Sequence, residues 1–380
     1  MANKGRKKIG IVFNFSGSWL GGVYYVQNII KALNHVKDED KPEIIIFYKK
    51  ELVKFTENIG YPYLKTVECR FVNTYKGFLF SWILRKNVFL EDLLKEHRLD
   101  GIYPVYDHPV ANKSFKETTI AAWFPDLQHK FYPQYFNKLN LILREFRLKL
   151  LLKNADVLVL SSNDVASHFH KFYKIPEKLK IHVMPFVSII DGLKFENLKD
   201  LRMKYKLPEQ YFMVSNQFYV HKNHITILKA LSLLKKKNQN IHVVFTGKME
   251  HYKNPKFIES LKQEIETNKL SDMVSLLGVI PRQDQLSLMK GAKAIIQPSL
   301  FEGWSTVIED AKSLQVPVIA SNIDVHKEQM ENSGVYFKAT DETDLANILV
   351  NFKNPNTDKI FETYEKRVID LGYNFISIFK

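Results

Sequence analysis

Short apolar runs rich in β-branched residues alternate with stretches of helical period along nearly the whole chain. Such alternation predicts parallel sheets with crossover helices. In the first half the predicted strands are 8–13, 43–47, 101–105, 118–124, 157–161 and 181–185. In the second they are 211–215, 241–246, 274–277, 294–297, 317–320 and 335–337. Runs this continuously apolar suit strands covered on both faces. The pattern lapses between Ser188 and Leu207, where Asp191-Gly192 and a polar run carry no strand signal, and then restarts. The expected organisation is a Rossmann-like domain over 1–190, a linker over 191–207 and a second Rossmann-like domain over 208–355. A C-terminal helix in 356–380 is expected to pack back toward the first domain. Open sheets of this kind bind ligands at the C-terminal ends of their strands, so a cleft between two facing domains is the expected site.

Composition narrows the function. With 380 residues, 45% hydrophobic and 25% charged, the chain suits a two-domain globular protein. Cys69 is the single cysteine, which excludes an intramolecular disulfide framework and a thiolate zinc cage and suits a reducing cytoplasm. The basic start, residues 1–8, is followed by only a six-residue apolar run, unlike a secretory signal. The longest plainly apolar stretch, 77–84, is far below the ~20 residues of a membrane span. The net charge of +14 divides into +10 over residues 1–200 (31 basic, 21 acidic) and +4 over 201–380 (24 basic, 20 acidic). Without a helix-turn-helix, zinc finger or RNA-binding aromatic motif, no nucleic-acid partner is expected. The stretches 78–94 and 139–153 interleave Leu, Ile, Phe and Trp with Arg and Lys. They read either as ordinary helices packed on the first sheet or as a peripheral contact with an anionic membrane surface. The expected location is cytoplasmic, with that contact placing the chain on the inner face of the cytoplasmic membrane.

Three segments carry candidate chemistry. After strand 8–13, Gly17, Gly21 and Gly22 precede a helix over 23–35. The spacing is not that of a dinucleotide fingerprint, and a tight turn explains it as well as a ligand contact. After strand 211–215, Asn216-Gln217-Phe218-Tyr219-Val220-His221-Lys222-Asn223-His224 forms a strand-to-helix loop. A Lys at a helix start adds a point charge to amides that favour phosphate. After strand 294–297, Phe301-Glu302-Gly303-Trp304-Ser305 leads into a helix from Thr306 that carries Glu309 and Asp310. A carboxylate before the helix can accept sugar hydroxyls, amides at 303–306 can bind phosphate, and a first-turn acid can hold a ribose diol. The spacing alone equally suits an acid cluster stabilising a helix start. Asp38-Glu39-Asp40 has the D-x-D form of metal-dependent transferases, but it sits beside Lys37 and Lys41 and reads as a solvated loop; no metal site is expected.

Residues 298–317 resemble the sugar-donor motif of family four of the retaining GT-B glycosyltransferases (glycosyl transferases group 1). In that family a Glu is followed by Gly-aromatic, a second Glu eight positions on, and a Pro opening the next strand. The Lys222 loop resembles the family's diphosphate-binding loop, Gly21-Gly22 sit at its N-domain glycine turn, and Gly278-Val279-Ile280-Pro281 at the loop that meets the base. The resemblance runs from about residue 8 to residue 340. It implies the GT-B fold and transfer of a sugar, with retention, from a UDP- or GDP-sugar to a hydroxyl of a glycan or lipid-linked acceptor in cell-surface polysaccharide synthesis. No cofactor is required beyond that donor. A nucleotide-sugar epimerase of the same fold and a non-catalytic glycan-binding protein are the alternatives.

The implied roles are these. Glu302 binds the donor sugar, while Lys222 and residues Gly303, Trp304, Ser305 and Thr306 bind its diphosphate. Asn216, Gln217, Gly247, Val279 and Ile280 line the nucleotide. Without a gap the ribose acid is Asp310, and Glu309 takes its place if the loop is one residue shorter. Gln217 stands where the family carries a phosphate-binding Arg, leaving Lys222 to act with Lys248 or Arg282. In Trp123-Phe124-Pro125-Asp126-Leu127-Gln128-His129, Pro125 replaces a family His, so Asp126 and His129 are the acceptor-side candidates, with Asp107-His108 second.

Overall fold

The computed structural model of the chain describes residues 5–15, 20–57, 59–111, 115–249, 255–331, 333–353 and 360–380. It divides into two compact units, one comprising Met1–Ile189 with Glu365–Lys380 and the other Ile190–Tyr364.

The first unit holds strands β1 (Lys8–Phe13), β2 (Glu43–Tyr48), β3 (Leu64–Glu68), β4 (Gly101–Val105), β5 (Thr119–Trp123), β6 (Val157–Leu160) and β7 (Lys180–Val183). They form one parallel sheet in the order β3-β2-β1-β4-β5-β6-β7. The unpredicted strand β3 is an edge strand whose mostly exposed residues, Leu-Lys-Thr-Val-Glu, lack the apolar run of a covered strand. Helices α1 (Leu20–Ala32), α2 (Thr74–Leu84), α3 (Glu91–His97), α4 (Gln128–Phe131), α5 (Lys138–Asn154) and α6 (Asn163–Phe172) connect the strands.

The second unit begins with α7 (Leu198–Tyr205), so the segment read as linker carries a helix, whose Leu201 is buried in the core of that unit. Its amphipathic signal is short and embedded in a Lys-rich run, which hides it from a strand search. Strands β8 (Phe212–Ser215), β9 (Val243–Thr246), β10 (Val274–Gly278), β11 (Ile295–Gln297), β12 (Val318–Ser321) and β13 (Val335–Phe337) alternate with α8 (His224–Lys236), α9 (Pro255–Thr267), α10 (Arg282–Lys290), α11 (Thr306–Ser313), α12 (Asp324–Met330) and α13 (Glu342–Asn351). The order β10-β9-β8-β11-β12-β13 is parallel throughout. Alternate residues of each strand enter opposite cores. Phe212, Val214, Phe245 and Ile296 pack on one face, while Met213, Val244, Ile295 and Val318 pack on the other. Period-two side-chain direction with helices on both faces accounts for the unbroken apolar runs.

Helix α14 (Tyr364–Ser377) returns to the first unit. Its Gly372 lies against Val36 and the Ala32 carbonyl, where a Cβ would come within 2.6 Å of Val36, and Phe375 packs 5.8 Å from Tyr103. In both sheets the first and fourth strands are neighbours from which the chain spreads in opposite directions. Loops leaving the C-terminal ends of such a pair part to form a crevice. The pairs are β1 with β4, and β8 with β11.

Candidate functional site

The crevice at β8 and β11 collects the second and third motifs. Asn216 directly follows β8 and Gln297 ends β11, and the Asn216 side-chain amide donates to Gln297 Oε1 at 2.8 Å. Val220–Lys222 form one turn of 3₁₀ helix, which Asn223 ends in the left-handed region at φ 56°. Asn tolerates that conformation better than most residues, and its side chain locks it by donating to the carbonyls of Pro298 (3.0 Å) and Ala339 (2.6 Å). The His221 carbonyl accepts from Leu300 N–H at 2.8 Å. Two loops eighty residues apart in the chain are thereby held as one surface. Gly247, after β9, closes it from the side: at φ 132°, a Cβ there would lie 2.1 Å from the Asn216 carbonyl oxygen, so only glycine fits.

On this surface Lys222 Nζ donates to Glu302 Oε1 at 2.5 Å, and Gln297 Nε2 donates to the same oxygen at 2.9 Å. Both side chains are largely covered, at 18% and 10% exposure. Burial alone would raise the Glu302 pKa, but the Lys222 ammonium and its hydrogen bond outweigh it and hold the carboxyl below its ordinary range. The site is therefore an anion held by a cation, with Glu302 ionised.

Ser305 caps α11 by accepting from Ile308 N–H. Gln329 of α12 braces that turn: its amide donates to the Ser305 carbonyl and to Glu309 Oε1, both at 2.8 Å, and its oxygen accepts from Ser305 N–H at 3.1 Å. The two adjacent acids face different neighbours. Both are buried; Glu309 meets Gln329 and lies 3.7 Å from Lys312, whereas Asp310 is gripped by both terminal nitrogens of Arg282. Arg282 directly follows Gly278-Val279-Ile280-Pro281, so Asp310 is tied to the start of α10 beside that loop, in which Val279 is 73% exposed. Lys248 is exposed, Gln217 is exposed, and Trp304 is half-buried.

Sequence reading missed Gln297, Gln329 and His326. Gln297 was visible as a polar residue ending an apolar strand; it is fully buried. His326 and Gln329, three apart on one face of α12, follow β12 at the same edge of the sheet. Nδ1 of His326 lies 3.0 Å from both the Ser321 carbonyl and hydroxyl. The carbonyl requires a donor, so Nδ1 carries the proton and the buried Nε2, which has no hydrogen-bond partner among the described residues, presents a lone pair. Burial pushes the His326 pKa down to about 4, against the attraction of Glu302.

In the first unit, Gly21 and Gly22 lie inside the first turn of α1 rather than in the loop before it, because the helix begins at Leu20; Gly17 lies outside the described residues. Asp126 Oδ1 accepts from Gln128 N–H at 2.8 Å and opens α4. His129 is buried, with Nε2 2.8 Å from Glu145 Oε1, which also accepts from Lys130 and Tyr173 at 2.8 Å. Burial, with Arg144 adding to it, pushes the His129 pKa down to about 4 despite Glu145. His108 is likewise buried, bonded to Asn87 and pushed down to about 4 by burial. Asp38, of the D-x-D lookalike, pairs with Arg6 at 2.6 Å and accepts from Tyr63. A pocket of about 530 Å³ opens instead at the crevice of β1 and β4, where Asn14, Phe15, Tyr106 and Asp107 meet Asn73 and Arg147. Arg147 holds Asp107 through Nε at 2.7 Å and Nη2 at 2.6 Å. Burial nevertheless raises the Asp107 pKa, with Arg147 opposing it.

Comparison with known proteins agrees with this arrangement. Residues 196–367 match the family described as Glycosyl transferases group 1. The O-antigen chain mannosyltransferase RfbU of Salmonella typhimurium is 25% identical over 243 residues, covering 64% of this chain and 63% of RfbU. The capsular polysaccharide biosynthesis glycosyltransferase CapH of Staphylococcus aureus is 28% identical over 163 residues, 42% of each chain. The chain thus spans less than two thirds of the length of either relative. Among solved structures, Alr3699/HepE of Anabaena in complex with UDP and glucose superposes with a TM-score of 0.65 at 18% identity, covering 98% of this chain and 95% of that one. HepE is also solved with UDP-glucose. The chain has the GT-B fold, with two Rossmann-like parallel-sheet units, and its residues 196–367 match the glycosyl transferases group 1 family.

Proposed function

We propose that the chain is a retaining glycosyltransferase that moves a sugar from a UDP- or GDP-sugar to a hydroxyl of a glycan or lipid-linked acceptor in cell-surface polysaccharide synthesis. The observation that carries this reading is the Lys222–Glu302 pair, set where the loops after β8 and β11 part. The names of RfbU and CapH place those relatives in polysaccharide synthesis, and HepE's ligands make a nucleotide sugar the natural donor. Glu302, kept ionised by Lys222, accepts hydroxyls of the donor sugar through its remaining lone pairs. The Lys222 ammonium and the amides at the start of α11 meet charge as it builds on the departing diphosphate. Asp310, oriented by Arg282 beside the Gly278–Pro281 loop, takes the ribose diol, and Glu309, turned toward Gln329, braces the helix start. The pocket at β1 and β4 receives the acceptor.

Replacing Glu302 by Gln keeps the shape of the side chain and removes its charge. Sugar transfer should fall by about 10²- to 10³-fold, followed as nucleoside diphosphate released from a panel of UDP- and GDP-sugars with and without glycan acceptors. Undiminished turnover in Glu302→Gln would overturn the donor-site assignment, and acceptor-independent epimerisation by the unaltered chain would overturn transfer itself.

A further inference from the structure

Helix α2 is built inside out. Its small residues Gly77 and Ser81, one turn apart, are buried. The Phe89 ring fills the space that a Cβ on Gly77 would need, at 2.2 Å. Its large residues point the other way: Tyr75, Leu79, Phe80, Trp82, Ile83 and Leu84 are 46–66% exposed. A helix on a water-facing surface turns its apolar side chains inward, and this one spends its inward face on the smallest residues it has. Helix α5 extends the same surface with Leu139 and Ile142, at 64% and 66% exposure, and with Phe146. The Phe146 ring lies 6.2 Å from Phe78 and 5.9 Å from Trp82, joining the two helices into one apolar face. A contiguous face of this kind marks an interaction surface.

Its charge is of one sign. Lys76, Arg85 and Lys86 are exposed on α2 and its end, and no acid occurs from residue 74 to residue 86. Lys138, Lys149 and Lys153 are exposed on α5, whose one acid, Glu145, is taken up by His129, Lys130 and Tyr173. We propose that the α2–α5 face docks on an anionic lipid bilayer, with both helices lying in the headgroup layer. Aliphatic side chains entering the acyl boundary, Trp and Tyr at headgroup level, and Lys and Arg reaching lipid phosphates match the three chemistries of that layer. The contact is peripheral, since no helix among the described residues is long and apolar enough to cross a membrane. Asn73 and Thr74 at the start of α2 and Arg147 of α5 also line the 530 Å³ pocket, so docking brings that pocket to the headgroups. The docking itself does not depend on the donor chemistry proposed above.

Flotation of the full chain with vesicles tests this. It should float with phosphatidylcholine vesicles carrying about one third phosphatidylglycerol, less so as salt rises, and not with phosphatidylcholine alone. Reversing two charges in Lys76→Glu/Arg85→Glu should weaken binding about thirtyfold at low salt. Ile83→Glu/Leu84→Glu should weaken it at least about tenfold, and all four positions are exposed, so thermal unfolding should stay near that of the unaltered chain. Three results would overturn the proposal: no flotation of the unaltered chain on anionic vesicles, equal flotation of both variants, or a dimer in solution that Ile83→Glu/Leu84→Glu dissociates, which would assign the face to a second copy.

Discussion

The two sheets share a strand order about their first strands, yet the crevices at β1/β4 and β8/β11 are furnished with opposite chemistry. At β8 and β11 the loops are crowded with side-chain amides and charge: Asn216, Gln297, Asn223, Lys222 and Glu302 form one hydrogen-bonded surface. At β1 and β4 the corresponding loops bring Phe15 and Tyr106, with rings 6.0 Å apart, and Asp107, paired with Arg147 of α5, around a pocket that Lys49 also lines. Fold alone assigns neither crevice a substrate. What differs is the fate of the buried carboxylate. Glu302 is held below its ordinary pKa by Lys222, whereas Asp107 stays above its own despite Arg147. The β8/β11 crevice thus keeps its carboxylate charged, while the β1/β4 crevice sets a carboxyl of raised pKa beside aromatic rings.

Removing the cation from the charged crevice is the strongest way to break this contrast. In Lys222→Met, sugar transfer should drop about 10²-fold, and Glu302 should lose the partner that outweighs its burial. Its pKa then moves up instead of down. A depressed carboxylate contributes stability above the ordinary carboxylate range and loses it as pH falls through the folded-state value. The unaltered chain should therefore exceed Lys222→Met by about 2 kcal/mol at neutral pH, the gap closing as pH falls through the lowered Glu302 value of the unaltered chain, below which both forms are protonated. Thermal unfolding across pH measures this; a gap independent of pH would show that the pair does not set the state of Glu302.

The contrast also explains what could be read without coordinates. The β8/β11 site was legible because its chemistry is contiguous: Glu302 to Asp310 span one strand-loop-helix unit, and Lys222 follows its strand by seven residues. Continuous apolar runs likewise exposed every strand covered on both faces, and only β3, an exposed edge strand, escaped. Of the pocket at β1 and β4 only Asp107 was read as a candidate, because Asn14, Asn73, Tyr106 and Arg147 come from four separated segments that only the fold brings together. His129 looked available in sequence for the opposite reason: nothing local reveals that α5 returns Glu145 to it sixteen residues later. The outward Trp82 and Ile83 were equally hidden, since composition cannot say which side of α2 faces the unit.

A finer division lies inside the charged crevice. Arg282 fixes Asp310 toward the loop after β10, while Gln329 fixes Glu309 toward α12. Asp310→Asn should raise the KM for the nucleotide sugar about tenfold with kcat little changed, the loss of a hydrogen bond to a charged group that ground and transition states share. Glu309→Gln should alter KM less than threefold or so, well under 1 kcal/mol, because Gln329 can still bond to the amide. Equal shifts in initial-rate measurements, or the reverse order, would move the ribose contact to Glu309.

A smaller effect than that of Asp310→Asn should come from the other crevice. Arg147→Met keeps much of the stem that lines the pocket but leaves Asp107 buried without its cation, so KM for the acceptor should rise about fivefold while donor hydrolysis without acceptor stays unchanged. The stability gap runs in the same direction with pH as that of Lys222→Met, although the unaltered Asp107 starts from a raised value and Glu302 from a lowered one. A carboxyl whose folded pKa is raised contributes stability that is present at acid pH and lost as pH rises through that value. Without Arg147 the value rises further, so the variant should fall behind the unaltered chain as pH increases, by only about 1 kcal/mol because Arg147 is 40% exposed and its charge is screened. Adding Asp107→Asn removes the group that titrates, and the pH dependence should vanish with it. If acceptor KM and donor hydrolysis instead deteriorate together in Arg147→Met, the two crevices do not divide the substrates between them, and the aromatic pocket belongs to the donor.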